Sequence, residues 1–83
     1  METTFSNGEK INNYNACGQV EGYDKISDEL IDDIKAWSFL IGTKLAYSLQ
    51  GWFGRNARTI IKQGVISEDG VVNWDEFQNL YEQ

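Results

Sequence analysis

The sequence contains no histidine, no proline and a single cysteine, Cys17. The lack of histidine excludes Ser-His and Cys-His nucleophilic catalysis, histidine general bases and nearly all transition-metal sites. Without proline, nothing forces a rigid or cis turn. A single cysteine excludes an intrachain disulfide and fits a reducing compartment. We therefore expect a cytoplasmic, non-enzymatic protein with no catalytic residue, no cofactor and no metal.

Long apolar runs are also missing. The chain has no apolar run of the roughly 18 residues that a transmembrane helix needs, and no basic segment followed by an apolar one at its start. Its 83 residues are 41% hydrophobic, which predicts one small domain with a modest core. We expect no contact with a membrane.

Charge is strongly segregated along the chain, whose net charge is −6. Residues 1–33 hold eight acids and two bases, residues 34–67 hold five bases and no acid, and residues 68–83 hold five acids and no base. Two interpretations are open: the acidic ends fold back over the basic middle, or protomers pair head to tail as an oligomer.

Residues 27–64 carry the sustained helical pattern. Apolar residues three or four positions apart share one helical face: Leu30, Ile34, Trp37, Ile41 and Leu45. Ser27 is the predicted N-cap, and Gly64 the predicted residue after the last helical turn. Each interior glycine costs about 1 kcal/mol relative to alanine, so Gly42, Gly51 and Gly54 favour two or three shorter helices. We expect one helix from Asp28 to about Leu40 and another from Thr43 to about Gln50.

The two ends of the chain differ in their predicted structure. Residues 1–23 are predicted to be a weakly structured segment, and residues 24–83 a single helical domain. Asn7-Gly8 favours a short hairpin, with disorder over residues 1–12 as the alternative. Asp69-Gly70 between β-branched residues predicts a short hairpin near residues 65–72, and Asn73 is the predicted cap of a final helix. The predicted fold is mainly α, a small bundle of three to four helices.

Acidic residues cluster where the first long helix begins. The candidate partner-binding residues combine this cluster with acids near the end of the chain: Asp28, Glu29, Asp32, Asp33, Glu68, Asp69, Asp75 and Glu76. Like charges four residues apart destabilise a helix by roughly 0.2–0.5 kcal/mol, so we expect the cluster to be exposed. It is either a solvated face or a contact surface for a partner whose groove is lined by Lys and Arg.

In its size, acidity, lack of histidine and aromatic faces, the chain resembles small phage-encoded inhibitors of host defence, such as anti-CRISPR and anti-restriction proteins. The resemblance implies an inhibitor that acts by protein–protein contact in the host cytoplasm. Its carboxylates would occupy the nucleic-acid channel of a target complex, as a DNA mimic does. The expected partner is therefore a protein with a basic surface, within a complex that binds nucleic acid.

The alternative is direct binding of nucleic acid. Arg55, Arg58 and Lys62 share one face of an amphipathic helix. Followed by a hairpin, this helix resembles the recognition helix and wing of a winged helix-turn-helix protein. The resemblance implies that these three basic side chains contact phosphates. It also implies that Asn56 reads the edge of a nucleobase and that Trp52 or Phe53 stacks on one.

A minor alternative is a degenerate calcium module. Asp69, Gly70 and Glu76 resemble the fifth, sixth and twelfth positions of an EF-hand loop. The first position of that loop would be Val65, which has no side-chain oxygen, and the third would be Ser67.

Overall fold

A computed structural model of the chain describes residues 1–81, which contain four α-helices and one short 3₁₀ turn and no β-strand. The helices are α1 (Asn13–Glu21), α2 (Leu30–Gly42), α3 (Gly51–Lys62) and α4 (Trp74–Tyr81), and the 3₁₀ turn is Leu45–Tyr47. The predicted mainly helical fold is confirmed.

Helix α2 is the centre of the hydrophobic core. Ile34, Leu40 and Ile41 are buried along it, α1 packs against it, and the 3₁₀ turn contacts both α2 and α3. The helix ends at Gly42, where a break was predicted. The helix predicted from Thr43 shortens to the 3₁₀ turn, because Lys44 takes a left-handed backbone conformation with φ of 66°.

The beginning of α2 differs from the prediction. The helix is capped at Glu29 without a side-chain hydrogen bond, and Ser27 uses its hydroxyl to donate to Asp32 instead. Gly51 opens α3, and Gly54 lies inside that helix, so Gly54 does not break it. Gly64 follows α3 with φ of 82°, which confirms the predicted position after the last turn.

Residues 1–23 were predicted to be weakly structured, but the structure places α1 there. Phe5 is only 2% exposed, and Ile11 is also buried in the core shared with α2. A reciprocal cap between Asn12 and Asn15 starts α1. Hydrophobic periodicity does not predict this helix, because its buried positions include a glycine and a glutamine and not a stripe of large apolar residues.

The hairpin predicted near residues 65–72 is not formed. A single antiparallel bridge joins Ile66 to Val72. The Ser67 hydroxyl accepts hydrogen bonds from the backbone N–H groups of Asp69 and Val71 and closes a tight turn. Val65 and Ile66 are both buried, so the side chains do not alternate as they would in a half-buried strand.

The turn is instead docked on α2. The hydroxyl of the buried Ser38 donates to the carbonyl oxygen of Gly70. A Cβ at Gly70 would lie 2.7 Å from the Gly42 Cα atom, so this position accepts only glycine without a shift of the backbone. After the turn, Asn73 caps α4 by accepting from the Glu76 N–H at 3.0 Å, as predicted.

Candidate nucleic-acid interface

Asp32 does not belong to an exposed acidic face. It is fully buried and accepts hydrogen bonds from the Ser6 N–H at 2.8 Å and from the hydroxyls of Ser6 and Ser27, each at 2.6 Å. Burial alone would raise the pKa of this carboxyl, but the hydrogen bonds from Ser27 and Ser6 outweigh it and lower the pKa. Asp32 therefore holds the N-terminal segment onto α2.

The carboxylate of Asp33 also makes contacts within the fold. It accepts from Gln19 Nε2 at 2.7 Å and pairs with Lys25 Nζ at 3.3 Å. Asp28 and Glu29 remain exposed. The predicted exposure of the cluster is thus wrong for Asp32 and Asp33, because residues from the N-terminal third fold back onto this end of α2.

The acidic residues of the C-terminal third are more accessible to solvent, but they lie in different parts of the structure. Glu68, Asp69 and Asp75 are exposed, and Glu76 is half-exposed. Asp75 and Glu76 lie in the first turn of α4, where the helix dipole favours negative charge. Glu68 lies elsewhere, on the wall of a basic groove.

This first groove has a volume of about 430 Å³ and is built by three parts of the chain. The linker after α2, the last turns of α3 and the 65–72 turn contribute its lining: Lys44, Tyr47, Arg58, Ile61, Lys62 and Glu68. Lys44 Nζ donates to the Glu68 carbonyl oxygen at 2.7 Å, which ties the linker to the turn. The left-handed φ of Lys44 is uncommon for a residue with a side chain, and such strain is concentrated at functional sites.

A second groove of about 240 Å³ continues the first along α3. Tyr47 and Arg58 line both grooves, and Arg55 lines the second. Tyr47 is 40% exposed, so an aromatic ring lies among the basic side chains. The two grooves together, which we call the basic grooves, carry Lys44, Arg55, Arg58 and Lys62.

Within residues 1–81, no carboxylate forms an ion pair with any of these four basic residues. The ion pairs within residues 1–81 are Lys25–Asp33 and Lys35–Glu2, and neither involves the basic grooves. In this part of the chain the acidic ends thus contribute Glu68 to the first groove but no ion pair to these side chains. Their positive charge is presented to solvent in a concave surface, which strengthens the local field.

The predicted nucleic-acid residues separate into two groups. Arg55, Arg58 and Lys62 are brought together in the basic grooves, whereas Trp52 and Asn56 line neither. The ring of Trp52 packs against Trp37 with centroids 5.9 Å apart. The Asn56 amide donates to the Trp52 carbonyl oxygen at 2.8 Å, so it is engaged within α3.

Sequence reasoning missed Lys44 and Tyr47 as members of this site. Their approach to α3 depends on the left-handed Lys44 and the 3₁₀ turn after it, which helical periodicity does not reveal. The signal available was the charge count, since Lys44 lies in the acid-free stretch of residues 34–67.

The calcium resemblance does not produce a metal site. Val65 is fully buried, and the Ser67 hydroxyl is occupied by backbone N–H groups. Within the part of the chain that the structure describes, no group of three or more acidic or cysteine residues is placed to hold a metal ion.

Comparison with known proteins identifies the family of the chain. Residues 22–82 match the family described as Domain of unknown function (DUF7417), so the chain belongs to that family. The match begins directly after α1 and includes every residue of the basic grooves. Searches of curated proteins and of solved structures gave no match. No helix within residues 1–81 is long and apolar enough to cross a membrane.

Proposed function

We propose that this protein is a small, non-enzymatic nucleic-acid-binding protein whose basic grooves hold the phosphate backbone. The observation that carries the proposal is the surface of Lys44, Arg55, Arg58 and Lys62 around Tyr47, on which none of the four has an ion-pair partner among residues 1–81. Phosphate oxygens are the usual targets of Arg and Lys in such interfaces. Arginine also binds phosphate with two parallel hydrogen bonds.

The net charge of −6 does not oppose this site. Of the acids within residues 1–81, Glu68 alone lines the basic grooves, and charges more than a Debye length away, about 8 Å at physiological salt, are largely screened. The acidic remainder weakens long-range attraction, and we therefore expect modest affinity that falls steeply with salt.

The mode of contact differs from that of a winged helix. The residues of the expected wing form only a docked turn, and Asn56 is engaged by the backbone of its own helix. Because Asn56, the predicted reader of a base edge, is engaged within α3, we expect the basic grooves to provide contacts to the phosphate backbone with little sequence preference.

The proposal is tested by titrating the protein into fluorescently labelled DNA at low salt. We expect saturable binding by the wild type and a loss of several-fold in affinity for Arg58→Gln. Lys10→Gln removes the same charge at an exposed residue outside both grooves, and it should bind like the wild type. No binding by the wild type, or equal losses in the two variants, would contradict the proposal.

The inhibitor of host defence expected from size and charge is a separate hypothesis. The family match gives it no support, and its acidic surface is reduced by the burial of Asp32 and the pairing of Asp33. It is now tested by Asp28→Lys with Glu29→Lys, because these two residues are exposed and their reversal leaves the Asp32 contacts intact. Unchanged capture of a basic protein partner by that variant would remove it.

A further inference from the structure

A third cavity, of about 350 Å³, lies between α1, the loop after it and the residues around the 3₁₀ turn. Its wall is mostly apolar and includes Tyr14, Cys17, Tyr23, Asp24, Leu45 and Leu49. We call it the aromatic cavity. Gly18 allows the loop to pack closely against α1 and so shapes the aromatic cavity, since a Cβ at this position would lie 2.9 Å from the Asp24 carbonyl oxygen.

The aromatic cavity adjoins the basic grooves. Leu49 lines both the aromatic cavity and the second groove, just as Tyr47 and Arg58 line both the second groove and the first. These shared residues place the three concavities side by side, along a path across the surface. The path has positive charge at one end and an aromatic, weakly acidic pocket at the other.

We propose that the aromatic cavity receives one unstacked nucleobase of a single strand whose phosphates lie in the basic grooves. This inference rests on the proposed function and names its substrate class. A single strand of nucleic acid matches this path, because its anionic phosphates suit the basic grooves and its flat, apolar bases suit the aromatic cavity. A base inside a duplex is stacked and paired, so it enters such a pocket only at the cost of unstacking.

The two tyrosines are suited to this role. Tyr14 is 78% exposed and Tyr23 is 74% exposed, although both line the cavity. Such large aromatic surface left open to water at a concave site is typical of a binding surface and not of a core. Bases stack on tyrosine rings with little regard to their identity, which suits a strand of varied sequence.

The charges at this end exclude phosphate and favour a base. The nearby Glu21 carboxylate raises the pKa of Tyr23, with smaller contributions from desolvation, Tyr14, Cys17 and Asp24. Glu21 and Asp24 place negative charge beside the cavity, which disfavours a phosphate there relative to the basic grooves. The Asp24 carboxylate only accepts hydrogen bonds, so it favours bases that carry an exocyclic amino group.

Asp24 makes the inference specific. Cytosine presents an N4 amino donor where uracil presents an O4 acceptor, and an aspartate accepts from the first and repels the second. We expect the wild type to bind oligo(dC) more tightly than oligo(dU) of equal length. Asp24→Asn supplies both a donor and an acceptor at the same volume, and it should abolish the preference without loss of oligo(dU) binding.

The test measures the affinity of labelled oligo(dC), oligo(dU) and a duplex of the same length at one salt concentration. We expect the single strands to bind about tenfold more tightly than the duplex. Tyr14→Ala with Tyr23→Ala should lose about tenfold on single strands and leave duplex binding unchanged. Both tyrosines are exposed, so this variant should keep the wild-type fold, and circular dichroism checks that it does.

The outcomes separate this inference from the proposed function. Single-strand affinity unchanged in the tyrosine variant, with binding still lost in Arg58→Gln, overturns the base pocket and supports the basic grooves. Equal affinity of the wild type for the duplex and the single strands also overturns the base pocket. Absence of binding to every oligonucleotide overturns the proposed function itself.

Discussion

Tyr47 and Arg58 together line both basic grooves, although they come from the 3₁₀ turn and from the middle of α3. Arg58 can therefore meet phosphates in either groove, whereas Arg55 and Lys62 each line one. We predict that Arg58→Gln weakens nucleic-acid binding more than Arg55→Gln or Lys62→Gln, by roughly 1 kcal/mol or more. Fluorescence anisotropy at low salt measures the three affinities.

Equal losses in the three glutamine variants would contradict this ranking. They would indicate a diffuse attraction that depends on net charge and not on the shared position of Arg58.

Glu68 separates the two hypotheses for the binding surface. Among the described residues Glu68 is the one acid that lines the first groove, and its backbone carbonyl accepts the hydrogen bond from Lys44. We predict that Glu68→Gln tightens nucleic-acid binding, because a repulsive charge is removed from the phosphate site. A contact surface made of acids predicts the opposite, a loss of partner binding. Asp75→Asn, outside the groove, is the matched control and should leave nucleic-acid affinity nearly unchanged.

Asp32 makes the stability of the fold depend on pH. Its pKa is lowered from the ordinary 3.8, so its contribution is complete well above that value and is lost as the pH falls through the lower folded pKa. We predict that Asp32→Asn costs about 1–3 kcal/mol at neutral pH, since it breaks a buried hydrogen-bonded site. The difference from the wild type should shrink as the pH falls below about 4.

Urea denaturation of both proteins across this pH range measures the difference directly. Asp28→Asn changes an exposed acid nearby and should be nearly neutral. A difference between wild type and Asp32→Asn that does not change with pH would show that the ionised carboxylate is not what Ser6 and Ser27 stabilise.

Gly70 and Gly8 both have a left-handed backbone, but only Gly70 also lies against a neighbouring helix. Both have φ of 87°, but a Cβ at Gly70 would meet α2, whereas nothing lies within 4 Å of a Cβ at Gly8. We predict that Gly8→Ala costs about 1 kcal/mol from the left-handed backbone alone. Gly70→Ala should cost that amount and about 1–3 kcal/mol more, because the 65–72 turn must move from α2. Thermal unfolding of the two variants gives the comparison, and equal costs would contradict the docking of the turn.

The helical class, the end of α2 at Gly42 and the Asn73 cap followed from local patterns in the sequence. These features depend on residues close together in the chain, so periodicity and capping rules predict them. The buried Asp32 could not be found in this way. Its partner Ser6 is 26 residues away, and a carboxylate on a polar turn of a helix has the same sequence pattern whether it is solvated or buried.

The candidate site shows the same division. The spacing of Arg55, Arg58 and Lys62 predicted a shared basic face, since it follows from one helix. The addition of Lys44 and Tyr47 depends on how a short 3₁₀ turn packs against α3, which is tertiary information. The predicted hairpin failed for a related reason, because docking of Gly70 on α2 replaces the pairing that Asp69-Gly70 favours locally.

The proposed binding of phosphates in the basic grooves is tested by the salt dependence of affinity. With Lys44, Arg55, Arg58 and Lys62 all engaged, the logarithm of the association constant for a single strand should fall with the logarithm of salt concentration at a slope of about −3. Arg58→Gln with Lys62→Gln should reduce the slope by about 1.4, while Lys10→Gln with Lys25→Gln should leave it unchanged. A wild-type slope near zero, or the same slope in all three proteins, would contradict the account.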